Sequence, residues 1–380
     1  MISILILIET MVLYASEQKC LVRFFDIFSP IFFIYFLPML ASTAGLIDPK
    51  APVLGLITTY VLPMALFLLL VTVDMRAIFR LGDKALLMFF IGSLGIMTGA
   101  VVAFVLVKGV IGPQFWGGFG ALSASWTGGS ANMIAVKEAL PVPDNVFLPM
   151  VIVDTIVPYV WMGLLIAAVR LQPAFDRWNR ADRSVLEALH RHSGATAVGI
   201  SALTPWGIAV VLACAAVAGL VSQWLGAQLP AVKNIIGPAA WTIIAVTSLA
   251  LLLSFTPARR LETLGANKAG AWLLYFVLTA IGAKAALTDL GASVVLIGAG
   301  FIIVAVHLVF LLAGARFLRA PLFLVAASSQ ACIGGVASAP VVAAVYEPAL
   351  ASVGLLLAIL GNIVGTYLGV ICAHWCRFFS

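Results

Sequence analysis

The sequence predicts an all-α polytopic membrane protein made of two inverted repeats of about five transmembrane helices, each carrying a discontinuous re-entrant hairpin. Three observations lead there. Charged residues are scarce, the basic clusters fall on conflicting sides if every apolar segment spans, and a glycine-centred polar motif occurs twice.

Of 380 residues, 63% are hydrophobic and 9% charged, where soluble domains carry about 25% charged residues. Apolar runs of bilayer length recur near 2–14, 28–47, 52–75, 85–108, 113–140, 145–169, 206–228, 233–255, 270–288, 291–315, 321–345 and 349–375. The short alternating segments of a transmembrane β-barrel are absent. The formal charge of +6 sits in Arg and Lys clusters between segments and reports membrane orientation; it implies no nucleic-acid partner. Cys20, Cys214, Cys332, Cys372 and Cys376 are scattered without metal-ligand spacing and read as small apolar fillers.

The first segment is too short to span comfortably and carries Glu9. It lacks the basic start and small-x-small cleavage site of a signal peptide, so a clipped or weakly anchored helix is expected. A polar linker at 170–204 then divides the chain into an N-terminal repeat at 1–169 and a C-terminal repeat at 205–380.

Basic residues in the first half follow segment one (Lys19, Arg23) and segment three (Arg76, Arg80, Lys84). In the second half they occupy the linker (Arg170, Arg177, Arg180, Arg183, Arg191) and follow segment eight (Arg259, Arg260, Lys268) and segment ten (Arg316, Arg319). If all segments crossed, these clusters would lie on opposite faces, against the positive-inside rule. The conflict vanishes if 113–140 and 321–345 enter and leave by the same face. Ten crossings remain, the linker is cytoplasmic, both termini are periplasmic, and the halves have opposite orientation.

The motif supports the repeat independently. "SASWTGGSANM" at 123–133 aligns with "SQACIGGVASA" at 329–339, and Asp154 in "VDTIVPYVWMG" falls near Asn362 in "GNIVGTYLG". The two matches occur in order, at spacings of 206 and 208 residues.

Non-helical backbone at membrane depth is tolerated only inside protein or against a watery cavity. Broken elements at matching places in two inverted halves point to a carrier's binding site. Free carbonyls at the glycine tips suit a cation, and the half-helix N-termini beside them suit an anion. The expected solute-binding set is therefore Ser125, Thr127, Gly128, Gly129, Ser130 and Asn132 in the first hairpin, with Ser329, Gln330, Gly334, Gly335 and Ser338 in the second. The alternative for each glycine pair is close helix packing, with hydroxyls as interhelical glue.

Asp154 lies well inside segment six, where a carboxylate costs about 2.5–3.5 kcal/mol on insertion scales. It is the expected cation-coupling residue, with Thr155, Asn362 and Thr366 as further oxygen ligands and Na⁺ as the expected ion. Trp126 either lines the cavity or packs. Lys137 and Glu138 read as snorkelling to the membrane rim, Asp74 as marking the interface, and His307 as a structural buried histidine. No metal set beyond a monovalent cation, no cofactor motif and no nucleophile–base pair occurs, so an enzyme is not expected.

With these residues identified, the chain resembles the YjcL-like family of integral membrane proteins, catalogued as domain of unknown function 819. "SWTGGSANMIAVKEAL", "VDTIVPYVWMG", "LLYFVLTAIGAKAALTDL", "SSQACIGGVASAPVVAA" and "GNIVGTYLGV" carry the resemblance, from about residue 50 to the C-terminus. Three features depart from the family pattern: a short N-terminus, Cys332 in the second hairpin where a polar residue is expected, and "GAKAAL" in place of a more acidic string. The last leaves open whether segment nine contributes to the site. The family is distantly similar to the sodium symporter GltS, which implies an elevator-type transporter architecture. The expectation is an ion-coupled secondary transporter of a small, anionic organic solute in the bacterial inner membrane, with homodimerisation through scaffold helices. The rivals are a monovalent cation/proton antiporter using Asp154 and a non-transport membrane scaffold.

Overall fold

A computed structural model describes residues 1–18, 21, 24–25, 30–75, 78, 81–181, 204–230, 238–284, 291–347 and 351–380. Lys19, Cys20, Arg23, Arg76, Arg80 and positions 182–203 of the linker lie outside the described residues. Among the described residues there is no strand.

The helices in chain order are α1 (Ile2–Glu17), α2 (Pro30–Thr43), α3 (Pro52–Val71), α4 (Asp83–Ile111), α5 (Trp116–Gly128), α6 (Ser130–Ala139), α7 (Asp144–Ala167) and α8 (Gln172–Asn179). There follow α9 (Pro205–Gln228), α10 (Pro238–Ser254), α11 (Ala266–Lys284), α12 (Gly291–Leu318), α13 (Leu322–Ile333), α14 (Gly335–Tyr346) and α15 (Ala351–Phe378). Among the described residues, six stretches are long and apolar enough to cross a bilayer: Pro52–Val71, Asp83–Ile111, Asp144–Asn179, Pro205–Gln228, Val294–Leu318 and Ala351–Phe378. Against the ten crossings read from charge, α1, α2 and α10 have only 16, 14 and 17 residues. α10 is followed by a 3₁₀ turn, Pro257–Leu264, bent from it by 97°.

The chain divides into two compact units: 1–73 with 137–155 and 199–293, and 74–136 with 156–198 and 294–380. In the first unit, α11 packs on α2 and α3, and α9 and α10 pack on each other and on α3. Small residues set these approaches. A side chain at Gly282 would strike the Tyr35 carbonyl, and one at Gly270 would crowd Leu68 and Leu69. α3 contains a π-helical turn, Ile57–Val61, just before Pro63. Proline has no N–H, so the Thr59 carbonyl loses its normal helical donor. Gln223 of α9 supplies the missing hydrogen bond at 2.9 Å.

The second unit is organised around α15. α5 lies along it, and α4, α13 and α14 also pack on it. The α5–α15 contact is made by small residues spaced one helical turn apart: Gly120, Ala124 and Gly128 face Gly361, Gly365, Gly369 and Ala373. Here backbone meets backbone. A β-carbon at Gly361 would overlap the Thr127 carbonyl, and one at Gly365 would lie 2.8 Å from the Gly128 α-carbon. Such stripes let helices associate in lipid, where hydrophobic burial gives little drive. On α4, Gly95 and Gly99 similarly admit α12 at His307, Phe310 and Ile303.

α8, the described start of the linker, docks within the same unit. Asp176 accepts the Leu322 N–H at 2.9 Å, capping α13, and the Asn179 amide donates to the Ala315 and Ala320 carbonyls at 3.0 and 2.7 Å.

Two Gly→Ala changes should therefore have opposite signs. Alanine is the better helix former by about 1 kcal/mol, and Gly163 has open space around a β-carbon. Gly163→Ala should leave thermal stability equal or higher. Gly361→Ala should lower it by about 1–3 kcal/mol through overpacking, as measured by thermal unfolding of the purified protein.

Candidate functional site

Both glycine motifs break their helices. α5 ends at Gly128, Gly129 takes a left-handed φ of 86°, and α6 begins at Ser130. α13 ends at Ile333, and α14 starts at Gly335, whose φ is 67°. The first pair divides its labour: Gly129 makes the turn, while Gly128 packs against Gly361 and Gly365. Packing and breaking, read from the sequence as alternatives, occupy neighbouring residues.

Each break is bridged by the side chain four residues after its first glycine. The Asn132 amide donates to the Gly128 carbonyl at 2.6 Å, and its oxygen accepts from the Thr366 hydroxyl at 2.5 Å. Across the second break, the Gln330 amide donates to the Ser338 hydroxyl at 2.7 Å. Those two side chains fill the space beside Gly334, where no β-carbon fits. The Asn362 side-chain oxygen lies 3.3 Å from where a Gly129 β-carbon would be. α15 thus brings both Asn362 and Thr366 to the first break.

Several of these groups have hydrogen bonds of their own. Thr127 donates to the Ser123 carbonyl at 2.8 Å and Thr155 to the Val151 carbonyl at 2.8 Å, each within its own helix. A hydroxyl that donates in this way keeps lone pairs for a cation or a donor. Ser125 is buried; Ser130 is partly exposed. Asp154 is half-buried on α7, in the stretch 137–155 that clusters with the first unit, as does Thr155.

Ser329 belongs to a network that the sequence did not announce. His307 is fully buried, with Nδ1 2.8 Å from the Gly92 carbonyl and Nε2 2.9 Å from the Ser329 hydroxyl. A carbonyl only accepts, so Nδ1 carries the hydrogen and neutral Nε2 accepts from Ser329. Ser329 in turn accepts from Trp161 Nε1 at 2.8 Å. Every donor in this chain has an acceptor when the imidazole is neutral. Trp161 was missed by the sequence reading. It lies seven residues after Asp154, two helical turns along the same face, and that spacing was a usable signal. After the Trp161–Ser329 bond from α13, the Tyr346 hydroxyl of α14 adds a second tie to α7, donating to the Leu165 carbonyl at 2.6 Å.

Among the buried polar atoms that have no hydrogen-bond partner in the described residues, four cluster by element: Ser123 Oγ, Trp126 Nε1, Ser328 Oγ and Gln330 Oε1. They lie on the first arms of the two broken helices, α5 and α13. Buried polar atoms are normally paired, so such a group invites water or a ligand. All four are neutral. Among the described residues, no group of three His, Cys, Asp or Glu side chains is placed to hold a metal ion.

A membrane protein of many helices, with two of them interrupted at glycine pairs, is what sequence and structure define together. The chain belongs to the family described as "Protein of unknown function (DUF819)", which it matches over residues 3–379. It is 27% identical over 353 residues to the "Uncharacterized membrane protein YjcL" of Bacillus subtilis (strain 168), covering 89% of this chain and 87% of that protein.

Replacing His307 by Leu would leave the Gly92 carbonyl and the Ser329 hydroxyl short of partners. Each buried polar group so exposed costs about 1–3 kcal/mol. The His307→Leu protein should unfold at a clearly lower temperature than wild type, whereas a change confined to solute binding would leave that temperature unmoved.

Proposed function

We propose that this protein is a secondary active transporter that carries a small organic solute across a bacterial inner membrane. The carrying observation is the pair of helices broken at Gly129 and Gly334–Gly335 within one compact unit, with unpartnered hydrogen-bonding atoms on the arms beside them. Broken helices that expose backbone to an internal site are the usual binding elements of secondary transporters.

The unpartnered Ser123, Trp126, Ser328 and Gln330 atoms would contact the solute. Those side chains are neutral, so attraction for an anion would fall to the N-termini of α6 and α14. Asp154 would hold the coupling cation, with Na⁺ suited to the hydroxyl and carbonyl oxygens that surround such sites. An inverted-repeat elevator, in which the elements that carry the two broken helices and the coupling cation move against the remaining helices as scaffold and dimer interface, is the mechanism that this assignment implies.

Uptake into proteoliposomes under a Na⁺ gradient tests the proposal. Asp154→Asn keeps shape and one carbonyl oxygen but removes the charge. It should abolish Na⁺-dependent uptake while leaving the protein folded. Full Na⁺-dependent uptake by the variant would make Asp154 structural. Proton-for-Na⁺ exchange without any solute uptake would identify an antiporter instead.

A further inference from the structure

The first unit holds a mixed-charge cluster that the transport assignment does not use. Lys137 is only 6% exposed, so it does not snorkel to the rim. Its Nζ lies 3.1 Å from Glu138 Oε1 and 3.1 Å from Asp144 Oδ1, and 5.5 Å from the centre of the Phe147 ring. A buried ammonium of this kind survives only when paired. On α11, Lys284 donates to the Thr58 hydroxyl at 3.3 Å, and the charges of Glu138, Lys137 and Asp144 reach it. Thr58 is presented by the π-helical turn of α3, a feature frequent at functional sites.

A second observation is independent of these charges. Tyr35 on α2 is completely buried, and its hydroxyl has no hydrogen-bond partner among the described residues. The Tyr35 ring packs 6.1 Å from Phe147, the ring that Lys137 covers, and the charge of Asp144 reaches its hydroxyl. Asp144 Oδ1 is also buried, and although it is close to Lys137 it makes no well-directed hydrogen bond.

The unmet groups specify their complement. The Tyr35 O–H needs an acceptor and Asp144 Oδ1 needs a donor, while half-buried Lys284 can donate two N–H bonds beyond the one to Thr58. The four charged side chains already sum to zero. An added net charge would be uncompensated in a low-dielectric interior, but a ligand bearing both signs adds none.

We propose that Tyr35, Thr58 and Lys284, together with the Lys137–Glu138–Asp144 cluster, bind a small zwitterion. Its carboxylate accepts from Lys284 and Tyr35, and its protonated amine donates to Asp144. The site stands apart from the transport assignment and holds or fails independently of it.

Thermal unfolding of the purified full-length protein tests the proposal, with glycine, L-alanine, L-serine, L-glutamine and L-glutamate as probes. Acetate and methylammonium, at matched concentration, present one charge each. At least one amino acid should raise the unfolding temperature by about 2–4 °C, and the single-charge probes should not. Tyr35→Phe removes a hydroxyl that has no partner, so the ligand-free protein should be as stable as wild type while the ligand-induced shift shrinks. Lys284→Gln should remove the shift. The proposal is overturned if no amino acid stabilises the protein, if acetate or methylammonium matches them, or if both variants respond like wild type.

Discussion

The close approach of α5 to α15 is the contact on which the candidate site depends. Within lipid, one apolar helix gains little by exchanging lipid contacts for another helix, so association rests on van der Waals fit and interhelical hydrogen bonds. Gly120, Ala124 and Gly128 provide that fit against Gly361, Gly365, Gly369 and Ala373. The same approach carries Thr366 to Asn132 and Asn362 to Gly129. A bulkier stripe on either helix would separate the break from the side chains that steady it.

The broken helices are costly because an interrupted helix leaves buried backbone groups without their usual partners. The chain meets that cost with local polar side chains. Asn132 recovers the Gly128 carbonyl, and Gln330 with Ser338 closes over Gly334. Asp176 caps the start of α13 from the linker helix, and Gln223 answers the carbonyl released by Pro63. The first arms α5 and α13 retain unpartnered Ser123, Trp126, Ser328 and Gln330 atoms. The two helices are braced structurally while keeping hydrogen-bonding capacity to spare.

Much of the membrane architecture was legible in sequence. Long apolar segments stand out because lipid tolerates few charges, and paired glycines mark interruptions because helices resist them. The functional meaning of individual polar residues was less legible. Ser329 read as a solute ligand, but His307 and Trp161 both bond its hydroxyl. Lys137 read as a rim lysine, but it is buried between two carboxylates and over Phe147. In each case the deciding partner lies on another turn or another helix, and hydropathy contains no record of it.

The sequence by itself determined an all-helical membrane chain with polar interruptions at Gly128–Gly129 and Gly334–Gly335, because hydropathy and helix propensity are local properties. Tertiary structure decided that Gly128 packs while Gly129 turns, since a β-carbon at Gly128 would meet the Gly361 carbonyl. It also decided that Asn132 serves Gly128 and Thr366, and that Lys284 reaches Thr58 across 226 positions of chain. Hydrogen bonds and packing act over a few ångströms, and only folding brings such distant residues within that range.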